Sequence, residues 1–294
     1  MKITAIGTVV KDIIHHFDGS ISQSLGGLTY TIRALLSLLH EEDTIIPVSY
    51  AGEDVYERII ELYSGQAQVG TEGFLYISRP NNAVELSYMN EAERQERSLY
   101  PFPEIPFSLL QPFLTADVLL INMISGWDIS LDTLRQIRQN FKGLISIDIH
   151  SLALGREENG LRYLRPIEAG GWIENCDIIQ ANERELEALG GNPGKPEIFL
   201  RDTCFKDEKI FNLTRAYLGS STYYFKDHKI KRFDVHPPAE FKVIDPTGCG
   251  DAFVAGFVLD YFKSRDIKQA ARAANRIAAY TGTFKGLPGP INAN

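Results

Sequence analysis

Short β-rich runs alternate with stretches of helical spacing through much of this chain, and that alternation limits its fold more than any other feature. The strand-like runs are 2–7 (KITAIG), 44–51 (TIIPVSYA), 117–122 (DVLLIN), 143–149 (GLISIDI), 176–182 (CDIIQAN) and 209–213 (KIFNL). Between them, 28–39, 54–64, 130–141 and 183–190 carry apolar residues at helical spacing. The pattern predicts a parallel sheet flanked by helices, an α/β fold. The 294 residues suffice for one large domain or two, and 44% hydrophobic composition is ordinary for a full core.

Residues 73–100 break the rhythm. Val84, Leu86 and Tyr88 alternate with Glu85 and Ser87 behind the turn signal Pro80-Asn81-Asn82, which predicts a hairpin of half-exposed strands. Such an insertion serves as a lid, as a subunit contact or as a plain surface hairpin, and it is better described as a subdomain than as a domain. Three further strand-like runs follow at 220–225, 228–235 and 240–244. A helix over about 250–263 has almost no polar face and is expected to be buried nearly all round.

A formal net charge of -8, with no basic stripe, argues against a nucleic-acid surface. Cys176, Cys204 and Cys249 are odd in number and widely spaced, which suits reduced thiols better than disulfides or zinc. Lys11 and Asp12 interrupt the first apolar run, so the start lacks a signal-peptide pattern, and no run reaches membrane-spanning length. A cytoplasmic protein is expected.

The segment 243–253, VIDPTGCGDAF, places a turn and two glycines at the start of the buried helix. Helix starts expose unpaired N–H groups and favour anions, and glycines flanking a small Cys249 let an anion approach the backbone. Asp251, one step inside the first turn, is placed to accept a proton from a hydroxyl that attacks phosphorus. The same residues also suit a bare tight turn with a carboxylate answering the helix dipole, and the local physics leaves both readings open. A helix start also offers Cys249 activation of its thiol, against the plainer role of small filler. Phe253 occupies the place of the third glycine of a dinucleotide fingerprint, and GGNPGKPE (190–197) lacks P-loop spacing, so an NAD-linked oxidoreductase is disfavoured.

The stretch DPTGCGDAFVAGF (245–257) resembles the C-terminal signature of the ribokinase-like (PfkB-type) carbohydrate kinases, Asp-x-Thr-Gly-Ala-Gly-Asp-x-Phe-x-x-Gly. The resemblance implies a three-layer α/β/α core with a mainly parallel sheet and a small β lid, in one unit over 1–294 with the lid at about 73–100. It implies Asp251 as catalytic base and the backbone of Gly248, Cys249 and Gly250 as an anion hole. ANEREL (181–186) is similar to the family's Asn-x-x-Glu, which assigns Asn182 and Glu185 to Mg²⁺, through water, and to the phosphates; the bland alternative is a helix cap. Asp12, Gly26 and Gly27 match the family's acceptor positions, and Asp148 its Asp-x-Asn. Thr214, Gly219 and Thr247 fall on the nucleotide side.

Three positions depart from the pattern. Thr31 stands where the family places Asn, His150 replaces another Asn, and Ala216 takes the first glycine of the nucleotide loop, where alanine carries strain of about 1 kcal/mol if that position needs a positive φ. The resemblance thus implies an ATP- and Mg²⁺-dependent kinase acting on a hydroxyl of a sugar, nucleoside or related polyol, with possible pairing of two copies through the lids. The departures motivate a rival, a non-catalytic relative that binds sugar or nucleotide as a sensor or scaffold.

Overall fold

The computed structural model describes residues 1–15, 18–88, 94–203 and 209–284. Its strands are β1 (Lys2–Ile6), β2 (Val9–His15), β3 (Ile21–Gly27), β4 (Thr44–Gly52), β5 (Phe74–Ile77), β6 (Ala83–Tyr88), β7 (Arg94–Leu99), β8 (Val118–Asn122), β9 (Leu144–Asp148), β10 (Leu154–Arg156), β11 (Arg162–Leu164), β12 (Ile178–Asn182), β13 (Ile210–Thr214), β14 (Ser220–Lys226) and β15 (Lys229–Val235). The helices are α1 (Leu28–Leu36), α2 (Tyr56–Ser64), α3 (Phe107–Leu110), α4 (Leu131–Asn140), α5 (Ala169–Glu174), α6 (Glu183–Ala188), α7 (Pro196–Thr203), α8 (Cys249–Ser264) and α9 (Ile267–Thr281). Cys204 and the tip of the 73–100 segment lie outside the described residues.

The large sheet runs β15-β14-β13-β12-β9-β8-β1-β4-β5. From β13 to β5 every neighbouring pair is parallel, and β14 and β15 add antiparallel at one edge. Successive side chains of a strand point to opposite faces, so Val118 and Leu120 join the core beneath α1, α2, α8 and α9, while Leu119 and Ile121 join the core beneath α3 to α7. The result is a mainly parallel sheet between two helical layers, as the sequence predicts. Within α8, every residue from Asp251 to Leu259 is buried. No helix among the described residues is long and apolar enough to cross a membrane.

Two expectations need correction. Residues 240–244 form no strand: Phe241 packs edge-on against Tyr280 at 5.7 Å, and the Ile244 amide donates to Gly282 O at 2.8 Å, so the backbone pairs with the end of α9 instead of the sheet edge. The 73–100 segment is also not a self-contained insertion. Its first strand, β5, extends the large sheet, while β6 and β7 join β2 and β3 in a second sheet of order β3-β2-β6-β7. Half of that small sheet therefore comes from residues 9–27, the stretch that also holds Asp12, Gly26 and Gly27.

Candidate active site

The carboxyl ends of four neighbouring parallel strands form a row. Asn122 ends β8 opposite Asp148 of β9, Asp148 is in register with Gln180 of β12, and Asn182 ends β12 opposite Thr214 of β13. In open parallel sheets this end forms the binding crevice, because strand ends and helix starts meet there. The tip of α8 closes over the row.

That tip is shaped by its turn. The Thr247 amide donates to Asp245 Oδ1 at 2.9 Å, and Gly248 follows in the left-handed region with φ 78°. A Cβ on Gly248 would lie 2.6 Å from Cδ1 of Tyr30, so both backbone and packing demand glycine. The Cys249 amide donates to Pro246 O at 3.1 Å, whereas the amides of Gly248 and Gly250 have no such backbone acceptor among the described residues. The nest expected to hold three open amides has two. Gly250 is exposed while the next residue, Asp251, is buried, so an accessible glycine adjoins a sheltered carboxylate. The Cys249 thiol packs toward Gly282, and burial, with the Asp245 and Asp251 carboxylates, pushes its pKa up to about 11. Desolvation outweighs the helix-start effect here, so Cys249 is not an activated thiol.

Asp251 is held by residues far away in sequence. Its Oδ1 accepts from Asn122 Nδ2 at 2.6 Å and from Thr31 Oγ1 at 3.1 Å, and Asn122 Nδ2 also reaches Thr31 Oγ1 at 3.1 Å. Burial raises the Asp251 pKa to about 6, with the Thr31 and Asn122 donors pulling the other way. Thr31, fully buried where the family pattern has Asn, thus serves the carboxylate. Gln180 Nε2 ties the neighbourhood together, donating to Asp148 Oδ2 and to Gly250 O, each at 3.0 Å. Burial, then the Glu185 and Asp251 charges, raises the Asp148 pKa well above its ordinary value.

Asn182 and Glu185 form a reciprocal cap at the start of α6: the Glu185 amide donates to Asn182 Oδ1 at 3.0 Å, and the Asn182 amide donates to Glu185 Oε2 at 2.7 Å. The surrounding protein pushes Glu185 up to about 7. The structure shows the capping arrangement, and the cap lies in the same row of strand ends as Thr214. Between β2 and β3, the Asp12 carboxylate occupies the space that a Cβ on Gly26 would need. Gly27 opens α1 with φ 61°, against Thr8 O. Tyr30 links these groups to the α8 tip: burial first, then the Asp12, Asp245 and Asp251 charges, raise its phenol pKa.

Two expected positions are less open. Gly219, with φ 87°, is buried against Val235 O, and Ala216 does adopt a positive φ of 48°. His150 has φ 35° and its Nδ1 lies 2.9 Å from Ser151 Oγ, a local contact beside Asp148. Asn122, Gln180 and Tyr30 were not singled out from sequence. A lone amide inside or ending an apolar strand, as in VLLIN and IIQAN, was the available signal, since buried polar residues are the informative exceptions.

Searches against known proteins agree with this architecture. A solved pyrophosphate-dependent kinase in the ribokinase family superposes with a TM-score of 0.79 at 18% identity, covering 98% of this chain and 96% of that one. An uncharacterized sugar kinase from Pyrococcus horikoshii in complex with ATP superposes at 0.73 with 20% identity, covering 97% and 93%. The chain therefore has the α/β fold of the ribokinase family. Residues 169–291, which carry the α8 tip and the Asn182–Glu185 cap, match the model for pfkB family carbohydrate kinases. A curated relative, an uncharacterized sugar kinase of Archaeoglobus fulgidus, is 32% identical over 124 residues, 41% of this chain and 47% of its own length. The chain spans about half the length of the curated relatives it matches.

Proposed function

We propose that this chain is a kinase that transfers the γ-phosphoryl group of ATP to a hydroxyl of a sugar, nucleoside or related polyol. The observation that carries the reading is Asp251: a buried carboxylate poised near pH 6 immediately beside two open glycine amides at a helix start. Asp251 takes the hydroxyl proton as the oxygen attacks phosphorus, and the bond to the leaving ADP oxygen breaks in line. The Gly248 and Gly250 amides offset charge growing on the transferred group. Asn122 and Thr31 aim the carboxylate. Asp12, Gly26, Gly27 and Asp148 position the acceptor, and Asn182, Thr214, Gly219 and Thr247 border the nucleotide.

Magnesium fits this donor set. Among the described residues no three acidic, His or Cys side chains are grouped to hold a metal directly. Magnesium retains waters and leans on substrate phosphates, however, and the Glu185 charge acting on Asp148 is repulsion that a dication relieves. Bound through water at Glu185 and Asn182, it would supply charge neutralisation for the phosphates.

A second donor has one observation behind it. The loop 215–219, where the family's nucleotide loop has a glycine, is closed by its own backbone through Arg215 N to Gly219 O at 2.8 Å, with strained Ala216 inside. Pyrophosphate, the donor named for the pyrophosphate-dependent kinase, needs no contact from that loop to a base. The test is a phosphorylation panel of hexoses, pentoses, inositols and nucleosides, with ATP and with pyrophosphate, followed by phosphorus NMR. Product with any acceptor supports the kinase. Tight calorimetric binding of the same compounds without product would replace it with a sugar- or nucleotide-binding role. The small sheet acts as lid in this proposal, with β3 and β7 as its edges for pairing with a second copy; a monomer by light scattering removes the pairing.

A further inference from the structure

A cavity of about 330 Å³ lies between the loop after β8, the β10–β11 hairpin and the end of β7, lined by Pro101, Trp127, Leu154, Gly155, Arg156 and Arg165. It opens at the carboxyl end of β8 and β9, the same end as Asp251, but no residue assigned above lines it. Its wall is mostly apolar, with two arginines, Arg156 and Arg165, set into it. Arg162 stacks over the Trp127 ring at 4.7 Å and adds a third guanidinium behind the lining pair.

Each guanidinium is fixed by a backbone carbonyl. Arg156 Nε donates to Ser98 O at 3.1 Å, Arg162 Nη2 to Ser125 O at 2.9 Å, and Arg165 Nε to Leu152 O at 3.5 Å. None of the three is in an ion pair among the described residues. Glu96 and Asp128 are the acids whose charge reaches Arg162, and Asp128 is already occupied by Thr8 Oγ1 and the Ser125 and Gly126 amides. Two donors are also orphaned: Arg162 Nε and Trp127 Nε1 are buried with no acceptor. Orphaned buried donors are costly; one of these sits on Trp127, which lines the cavity, and the other on Arg162, which stacks on that ring, beside two lining arginines that form no ion pair among the described residues.

We infer that this cavity binds a tetrahedral oxyanion, the phosphate of a small phosphomonoester, with Arg156 and Arg165 as its principal donors and Trp127 packing against the organic body. Arginine matches this role because its planar fork offers paired N–H groups to phosphate oxygens, and a volume of about 330 Å³ exceeds what a bare ion fills. The phosphate belongs either to the acceptor itself or to a free effector. The inference does not depend on the kinase reading, since it concerns binding alone.

The chain has two tryptophans, so a Trp172→Phe background leaves Trp127 as the sole indole reporter. Inorganic phosphate, a pentose phosphate and the unmodified pentose are titrated at matched ionic strength, with calorimetry on the unsubstituted chain as the parallel measurement. A saturable change with the phosphate compounds and none with the bare pentose is expected. Arg156→Gln and Arg165→Gln should each weaken it by about tenfold or more. Arg165 is exposed, so its substitution leaves folding intact. No saturable signal by either method, or undiminished affinity in both variants, overturns the site. Where the pentose phosphate is itself phosphorylated and Arg165→Gln raises its KM, the anion belongs to the acceptor. Where free phosphate alters turnover of a neutral acceptor in the parent and not in Arg165→Gln, it is an effector. The titrations decide the site even where no acceptor turns over.

Discussion

The α8 tip and the loop 215–219 each contain a left-handed residue, Gly248 at φ 78° and Ala216 at φ 48°, yet they are held in opposite ways. Gly248 is wedged against Tyr30, and the adjacent carboxylate is gripped by side chains from α1 and β8. Loop 215–219 bonds mostly to itself and leaves Tyr217 86% exposed. The first region is fixed by partners more than a hundred residues away, and its departure from the family pattern, Thr31, keeps a hydrogen bond to Asp251. The second is fixed mainly by its own turn, and its departure, Ala216, is accommodated there in a left-handed conformation.

The largest break in this contrast is Asp251→Asn. Turnover in the phosphorylation assay should fall about 10²- to 10⁴-fold while thermal unfolding stays cooperative. Gly248→Ala comes next. The added Cβ meets Tyr30 in a backbone region that disfavours it, so denaturant unfolding should show a loss of about 2 kcal/mol, with turnover down about a hundredfold. Asn122→Leu sharpens the comparison through pH. Asp251 accepts protons only when ionised, so the rate of the parent should fall as pH drops through about 6. Losing the Asn122 donor removes a contact that favours the charged form, and the acid limb of kcat/KM should move up by about one to two pH units. Ala216→Gly has the smallest effect. Relief of about 1 kcal/mol of strain is countered by the greater freedom of glycine in the unfolded chain, so stability should shift by less than about 1 kcal/mol. A large change there would show that the loop is as constrained as the α8 tip.

The central strands were legible because each is a short apolar run between turn signals, and helix α8 because it has no polar face. Asp251 and its glycines were legible because their chemistry is local, compressed into one turn. Asn122 was not, because nothing near it in sequence points to residue 251; the link exists only once β8 lies beneath α8. Gln180 and Tyr30 escaped for the same reason. The small sheet was half read, since β6 and β7 alternate clearly, whereas β2 gives no hint that it pairs with β6, some seventy positions later. Residues 240–244 show the converse: a strand-like composition whose backbone found other acceptors.

One detail reaches past this chain. The Asp12 carboxylate fills the room that any side chain at position 26 would take. The two positions are therefore sterically coupled. In a set of relatives, a bulkier residue at 26 should arrive only with a changed or displaced residue at 12, leaving a paired footprint.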